Sequence, residues 1–126
     1  MLEYREHITR AMIQAERDKL FVFGDNFLRY GRGGQAKEMR GEPNSVGIVT
    51  KRRPSNDFTS FLTDDDEDEW LIKNEEDINR LKNFKGIVVW PNRGIGTGLA
   101  KLEKSSVRIW LRIKMLEREL FVTYKG

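Results

Sequence analysis

Apolar residues fall in this chain into short continuous runs, separated by stretches whose apolar positions recur at helical spacing, with glycine at many of the joints. Leu20–Phe23 (LFVF), Val46–Val49 (VGIV) and Ile87–Trp90 (IVVW) are too short for helices and end in turn residues, so they read as strands buried on both faces. The first runs into a loop at Gly24-Asp25-Asn26. The second is cut off by Thr50-Lys51-Arg52-Arg53-Pro54, where charge and proline end it. Ile8, Met12 and Ala15 predict a helix over roughly Thr9–Arg17, with an extended segment before it. Gln35–Arg40 has the composition of a helix stopped by Gly41 and Pro43. Asn74, with Asp77 at the capping-box position, opens a helix to about Phe84, and Ser105 or Ser106 caps another to about Arg118. Leu120–Tyr124 (LFVTY) closes the chain as a strand, and Thr59–Leu71 reads as an acidic loop anchored by Phe58, Phe61, Leu62 and Trp70.

Strands alternating with helices define an α/β fold, a mixed and mostly parallel sheet flanked by helices, in a single domain over residues 1–126. Such sheets bind ligands at the carboxyl ends of their strands. Two glycine-rich loops, Gly31–Gly34 and Gly94–Gly98, follow predicted strands directly, so both emerge at that edge and face one crevice.

Composition narrows the chemistry. Without cysteine there is no disulfide framework or thiolate zinc site, and a single histidine, His7, excludes imidazole clusters, which leaves carboxylates alone to hold a metal; no metal ligand and no cofactor is assigned. No apolar run reaches membrane-spanning length and the N-terminus is charged throughout, which predicts a cytoplasmic protein without a membrane partner. The net charge of +3 hides an asymmetry: setting aside the six acids of Asp64–Glu69 (DDDEDE), read as a solvated loop, leaves 23 basic residues against 14 acidic. A basic body favours an anionic ligand, a phosphate or a nucleic acid.

A phosphate held by main-chain amides needs close backbone approach, which glycine permits, and a following helix adds its positive end. Tyr30–Ala36 (YGRGGQA) and Pro91–Gly98 (PNRGIGTG) both supply that arrangement, with Thr97 adding a hydroxyl and Arg32 and Arg93 each able to pair a phosphate oxygen. Neither loop has the order of a P-loop, since Leu99-Ala100-Lys101 follows Gly98, and Ala36 stands where a dinucleotide fingerprint has its third glycine.

The order strand, Asp-Asn, glycine loop, strand, Thr-Lys, strand, Pro, Gly-x-Gly-x-Gly loop resembles a macrodomain. FVFGDNFLRYGRGGQAKEMR is similar to the first ADP-ribose loop with its helix, VGIVTKRRP to the central strand ending in Thr-Lys, and VVWPNRGIGTGLAKL to the phosphate loop. The similarity is greatest to macrodomains that remove ADP-ribose from protein glutamate or from DNA, and the FGDN plus GRGGQA combination also resembles short phage and bacterial proteins. The resemblance implies ADP-ribose or a related nucleotide as ligand, and an ADP-ribosylated protein or nucleic acid as partner. It puts Asn26 near the distal ribose with Gly33 and Gly34 beside it, Gly96, Thr97 and Gly98 around the diphosphate, and Gly31, Gln35, Thr50, Gly94 and Ile95 in the rest of the ligand set. Lys51 falls on the catalytic lysine, which acts at the anomeric carbon. Where the glutamate-specific relatives carry an aspartate this chain has Ala100, so Asp25 becomes the candidate acid.

Among aromatic residues, Phe21, Phe23, Trp90, Trp110 and Phe121 read as core, and the loop residues Phe27, Tyr30 and Phe58 as candidates to stack on a base. Three functions compete: an ADP-ribosyl hydrolase using Lys51, a module that binds or sequesters the nucleotide without chemistry, and a basic nucleic-acid-binding protein whose glycine loops are only turns.

Overall fold

The computed structural model describes residues 1–98 and 100–122. Strands β1 (Leu2–Arg5), β2 (Leu20–Asn26), β3 (Ser45–Lys51) and β4 (Val88–Pro91) form one sheet in the order β1-β4-β2-β3. All its strand pairings are parallel, so the four carboxyl ends share one edge. Helices α1 (Arg10–Ala15) and α2 (Ala36–Met39) lie on one face, α3 (Glu67–Asn83), α4 (Leu102–Ser105) and α5 (Val107–Val122) on the other.

Alternation along each strand divides the core. Phe21, Phe23 and Val89 join Ile8, Ile13, Ala36 and Met39 under α1 and α2. Leu20, Val22, Val88 and Trp90 join Trp70 and Leu81 of α3 and Ile109, Ile113, Leu116 and Leu120 of α5. Both faces are therefore covered, which is why the strands read as unbroken apolar runs, and the molecule is a three-layer α/β protein. No helix among the described residues is long and apolar enough to cross a membrane.

Several elements differ from the sequence reading. The strand at LFVF extends through Asn26, and the next extends through Lys51, because each keeps a parallel neighbour to the end. The acidic run is not a solvated loop: Asp64–Asp66 forms a 3-10 turn and Glu67–Glu69 the first turn of α3. Carboxylates belong at that end of a helix, where the first N–H groups and the dipole are positive. Three of the acids also have partners: Asp64 accepts from the Ser106 hydroxyl and the Arg108 amide, Asp66 from Arg52, and Glu67 from Arg108 and Arg112. The Thr63 amide donates to Asp66, so the capping pair lies there and not at Asn74 and Asp77. Asn74 is a buried residue in mid-helix. The closing strand is not formed, since α5 runs through Val122 and leaves Phe121 45% exposed; Thr123 and Tyr124 of that segment lie outside the described residues.

The outer flank of β3 has no neighbouring strand, yet most of its outward main-chain groups have partners. Asn74 Oδ1 accepts from the Val49 amide at 3.0 Å and Trp70 Nε1 donates to the Val49 carbonyl at 2.7 Å. Arg29 donates to the Gly47 carbonyl, Arg80 to that of Ser45, and Lys51 forms a bridge with Phe61.

Candidate functional site

Strands β2 and β4 are adjacent, but the chain leaves β2 for α2 on one face and β4 for α4 and α5 on the other. A crevice opens where neighbouring strands part in this way. The two glycine loops flank it, and the resulting cleft has a volume of about 1140 Å³, enough for a ligand of nucleotide size or larger. Lys51, Asp25, Asn26, Thr50, Gln35 and the glycine-loop residues named above for catalysis or ligand contact all line it.

A register shift at the end of the β2–β3 pair helps to assemble the site. Asp25 lies opposite Val49, but Asn26 opposite Lys51, so Thr50 is an extra residue. Such a bulge re-aims side chains, and here Thr50 and Lys51 both reach the cleft although they are consecutive. The buried Thr50 hydroxyl donates to the Asp25 carbonyl. Lys51 is half-buried, and its ammonium donates to the Ser55 carbonyl (2.9 Å) and Asn56 Oδ1 (3.2 Å) and lies 5.5 Å from the centre of the Phe61 ring. Burial among these neutral partners lowers its pKa from the ordinary lysine value.

Asp25 lines the cleft and is tightly engaged within the protein. Its carboxylate is buried and held by Arg40, by Arg29 at 3.4 Å and by the Asn26 amide at 2.8 Å. With its oxygens hydrogen-bonded to two guanidiniums, it anchors the wall of the cleft. Asn26 is likewise occupied in shaping the loop: Nδ2 donates to the Tyr30 carbonyl and Oδ1 accepts from the Leu28 amide. The Thr97 hydroxyl donates to the Arg93 carbonyl inside its own loop, and Ile95 is buried in the core.

The helix contribution to anion binding is also smaller than expected. Helices α2 and α4 each have four residues, too few for an appreciable dipole. What remains is the main chain. Among the described residues, no N–H from Tyr30 to Gln35, nor from Ile95 to Gly98, donates a hydrogen bond within the protein. Gly31 and Gly96 have φ of +99° and +83°, and a Cβ at either would come within 2.9 Å of Pro54 or Leu102, so these two are fixed by the fold. Gly33 is not: its φ is unexceptional and a Cβ there would meet nothing within 4 Å.

Charge follows the same arrangement. Arg32 and Arg93, one on each loop, are exposed and have no ion-pair partner among the described residues. Tyr30 is 55% exposed on the lining, Phe27 packs against the core, and Phe58 is exposed away from the cleft, so of the three candidate stacking residues only Tyr30 is in position. Ala100 is buried in the cleft wall, with no acid in its place. The Gln35 side-chain oxygen faces no partner although it is buried, an acceptor left for a ligand hydroxyl or amine.

Sequence reasoning missed Glu6, Arg40 and the Pro54–Asn56 segment, all of which line the cleft. Glu6 directly follows β1, whose end abuts that of β4 through the hydrogen bond from the Asn92 amide to the Arg5 carbonyl. The signal was the charged strand Leu2–Arg5, whose alternation is weak because β1 lies at the sheet edge.

These features define a parallel α/β protein with two glycine-rich loops flanking a cleft at its switch point. The chain belongs to a family of unknown function, DUF7831, whose model matches residues 3–116. No curated protein and no solved structure matches it.

Proposed function

We propose that this protein binds ADP-ribose or a closely related nucleoside diphosphate in the cleft between its glycine loops, as a cytoplasmic nucleotide-binding protein. The observation that carries this reading is the convergence of two runs of uncommitted main-chain N–H groups, each with an unpaired arginine, on one cleft. Successive amides turned toward a common point form an anion-binding concavity, and two of them suit the two phosphates of a diphosphate.

The ends of the cleft differ in character. Glu6 lies past β1 and Lys51 on β3, three strand spacings apart, or roughly 14 Å. A ligand with the diphosphate between the loops would present one end, such as a base bearing an amine, to Glu6 and the other, a ribose, to Lys51, Gln35 and Tyr30. This polarity favours a two-ended ligand over inorganic phosphate.

Thermal unfolding in the presence of ADP-ribose, NAD, AMP and cyclic dinucleotides tests the reading. A ligand at a hundred times its Kd stabilises the folded state by about 2.7 kcal/mol, a rise in Tm of several degrees. ADP-ribose is expected to give the largest shift, and Gly96→Glu to abolish it. No shift with any of these ligands would rule out a nucleotide site, and a steeply salt-dependent affinity for DNA or RNA would favour the nucleic-acid-binding alternative.

A second reading, hydrolysis of an ADP-ribosyl bond to protein or nucleic acid, is favoured by Lys51 alone, a desolvated amine at the ribose end of the cleft. Asp25 is committed to arginines and Glu6 is distant, so a lysine acting without a neighbouring carboxylate is required. Release of ADP-ribose from a modified substrate, lost in Lys51→Ala while binding persists, would establish it.

A further inference from the structure

Arg40 follows α2 and reaches back under the first glycine loop. Its Nε donates to the Gly31 carbonyl at 2.7 Å and its Nη2 to the Tyr30 carbonyl at 3.2 Å. The guanidinium is also paired with the buried Asp25 carboxylate, and its Cζ lies 5.6 Å from the centre of the Phe23 ring. Its position is thus fixed by contacts on three sides.

In a trans peptide the carbonyl and the following N–H point in opposite directions, and none of the peptide bonds in the described chain is cis. The Gly31 carbonyl is drawn onto Arg40, and that of Tyr30 onto Arg40 together with Asn26 Nδ2 at 2.8 Å, which turns the N–H groups of Gly31 and Arg32 away from these donors, and both lack a partner within the protein. Two consecutive amides on a loop that lines the cleft are thus left without an acceptor in the protein. We infer that Arg40 is a positioning residue for anion binding: it holds the loop carbonyls so that the Gly31 and Arg32 amides form one half of the diphosphate site, with Asp25 fixing the guanidinium from behind. The inference rests on the diphosphate reading above but assigns to Arg40 a role that the reading does not require. Lysine cannot replace it, because a single ammonium lacks the rigid fork that spans two carbonyls and a carboxylate.

Amide NMR of the 15N-labelled protein, titrated with ADP-ribose and separately with pyrophosphate, tests this. In the wild type the amide protons of Gly31 and Arg32 should move downfield together with those of Gly96 and Thr97. In Arg40→Lys the shifts of Gly31 and Arg32 should fall to less than half, those of Gly96 and Thr97 should persist, and the affinity for ADP-ribose should drop about tenfold. A purely structural role would lower the Tm of Arg40→Lys and leave the pattern of shifts unchanged, which overturns the proposal. Wild-type titration decides the matter even where the variant does not fold: movement of the second loop without the first refutes the role of Arg40 alone, whereas no movement of either loop refutes the diphosphate site and this inference with it.

Discussion

At the scale of single residues, two glycines separate folding from binding. A Cβ on Gly47 would lie 2.6 Å from Asp25 Oδ2, and that carboxylate cannot yield because Arg40 and Arg29 hold it. Gly47→Ala is expected to cost about 1–3 kcal/mol in denaturant unfolding, the usual range for overpacking. Gly33 has open space and an ordinary φ, so Gly33→Ala should leave stability unchanged or raise it by about 0.4–1 kcal/mol through the unfolded state, while weakening ADP-ribose binding. Equal losses of stability at both positions would contradict this assignment. Acid sensitivity belongs to the same scale. Hydrogen bonds from Arg17, Arg10 and Gln14 hold the Glu42 carboxyl at about 2, below its ordinary 4.5. A depressed carboxyl contributes stability that is complete above its unfolded value and is lost as pH falls through the folded one. Urea midpoints should therefore fall between about pH 5 and about pH 2.5, and fall less in Glu42→Gln.

At the scale of elements, strands β2, β3 and β4 were legible, and helix α3 only from Asn74 onward. LFVF, VGIV and IVVW became strands because both faces of a parallel sheet are buried, a condition local composition reports well. Asn74 misled because its side-chain oxygen accepts from a main-chain amide as a cap does, but from Val49 of β3, while its Nδ2 donates to the Trp70 carbonyl one turn back in α3. Asn74→Leu should leave the Val49 amide unpaired and cost about 1–3 kcal/mol, measured by chemical denaturation. The closing LFVTY segment has strand composition, but Leu116 and Leu120 continue the face of α5 buried against the sheet, and tertiary burial outweighed propensity.

At the scale of the whole molecule, the sequence placed both glycine loops on one sheet edge, and the structure brings them to one cleft. Arg40 was not legible, because its role depends on a chain reversal that carries it back beneath residues nine and ten positions earlier. Glu6 was missed because the strand that delivers it is four residues long and pairs on one side only. The flank of β3 has a consequence for how copies of the protein meet. Exposed strand edges serve as templates on which further chains polymerise. Here Asn74, Trp70, Arg29 and Arg80 plug the hydrogen-bonding positions that an incoming strand would need. Removing two plugs, in Asn74→Leu combined with Trp70→Phe, should shift the protein toward higher-order species in light scattering, more than a destabilising variant of equal Tm elsewhere in the core. Arg29 also touches Asp25, so the stopper that keeps neighbouring molecules apart is wired to the wall of the cleft.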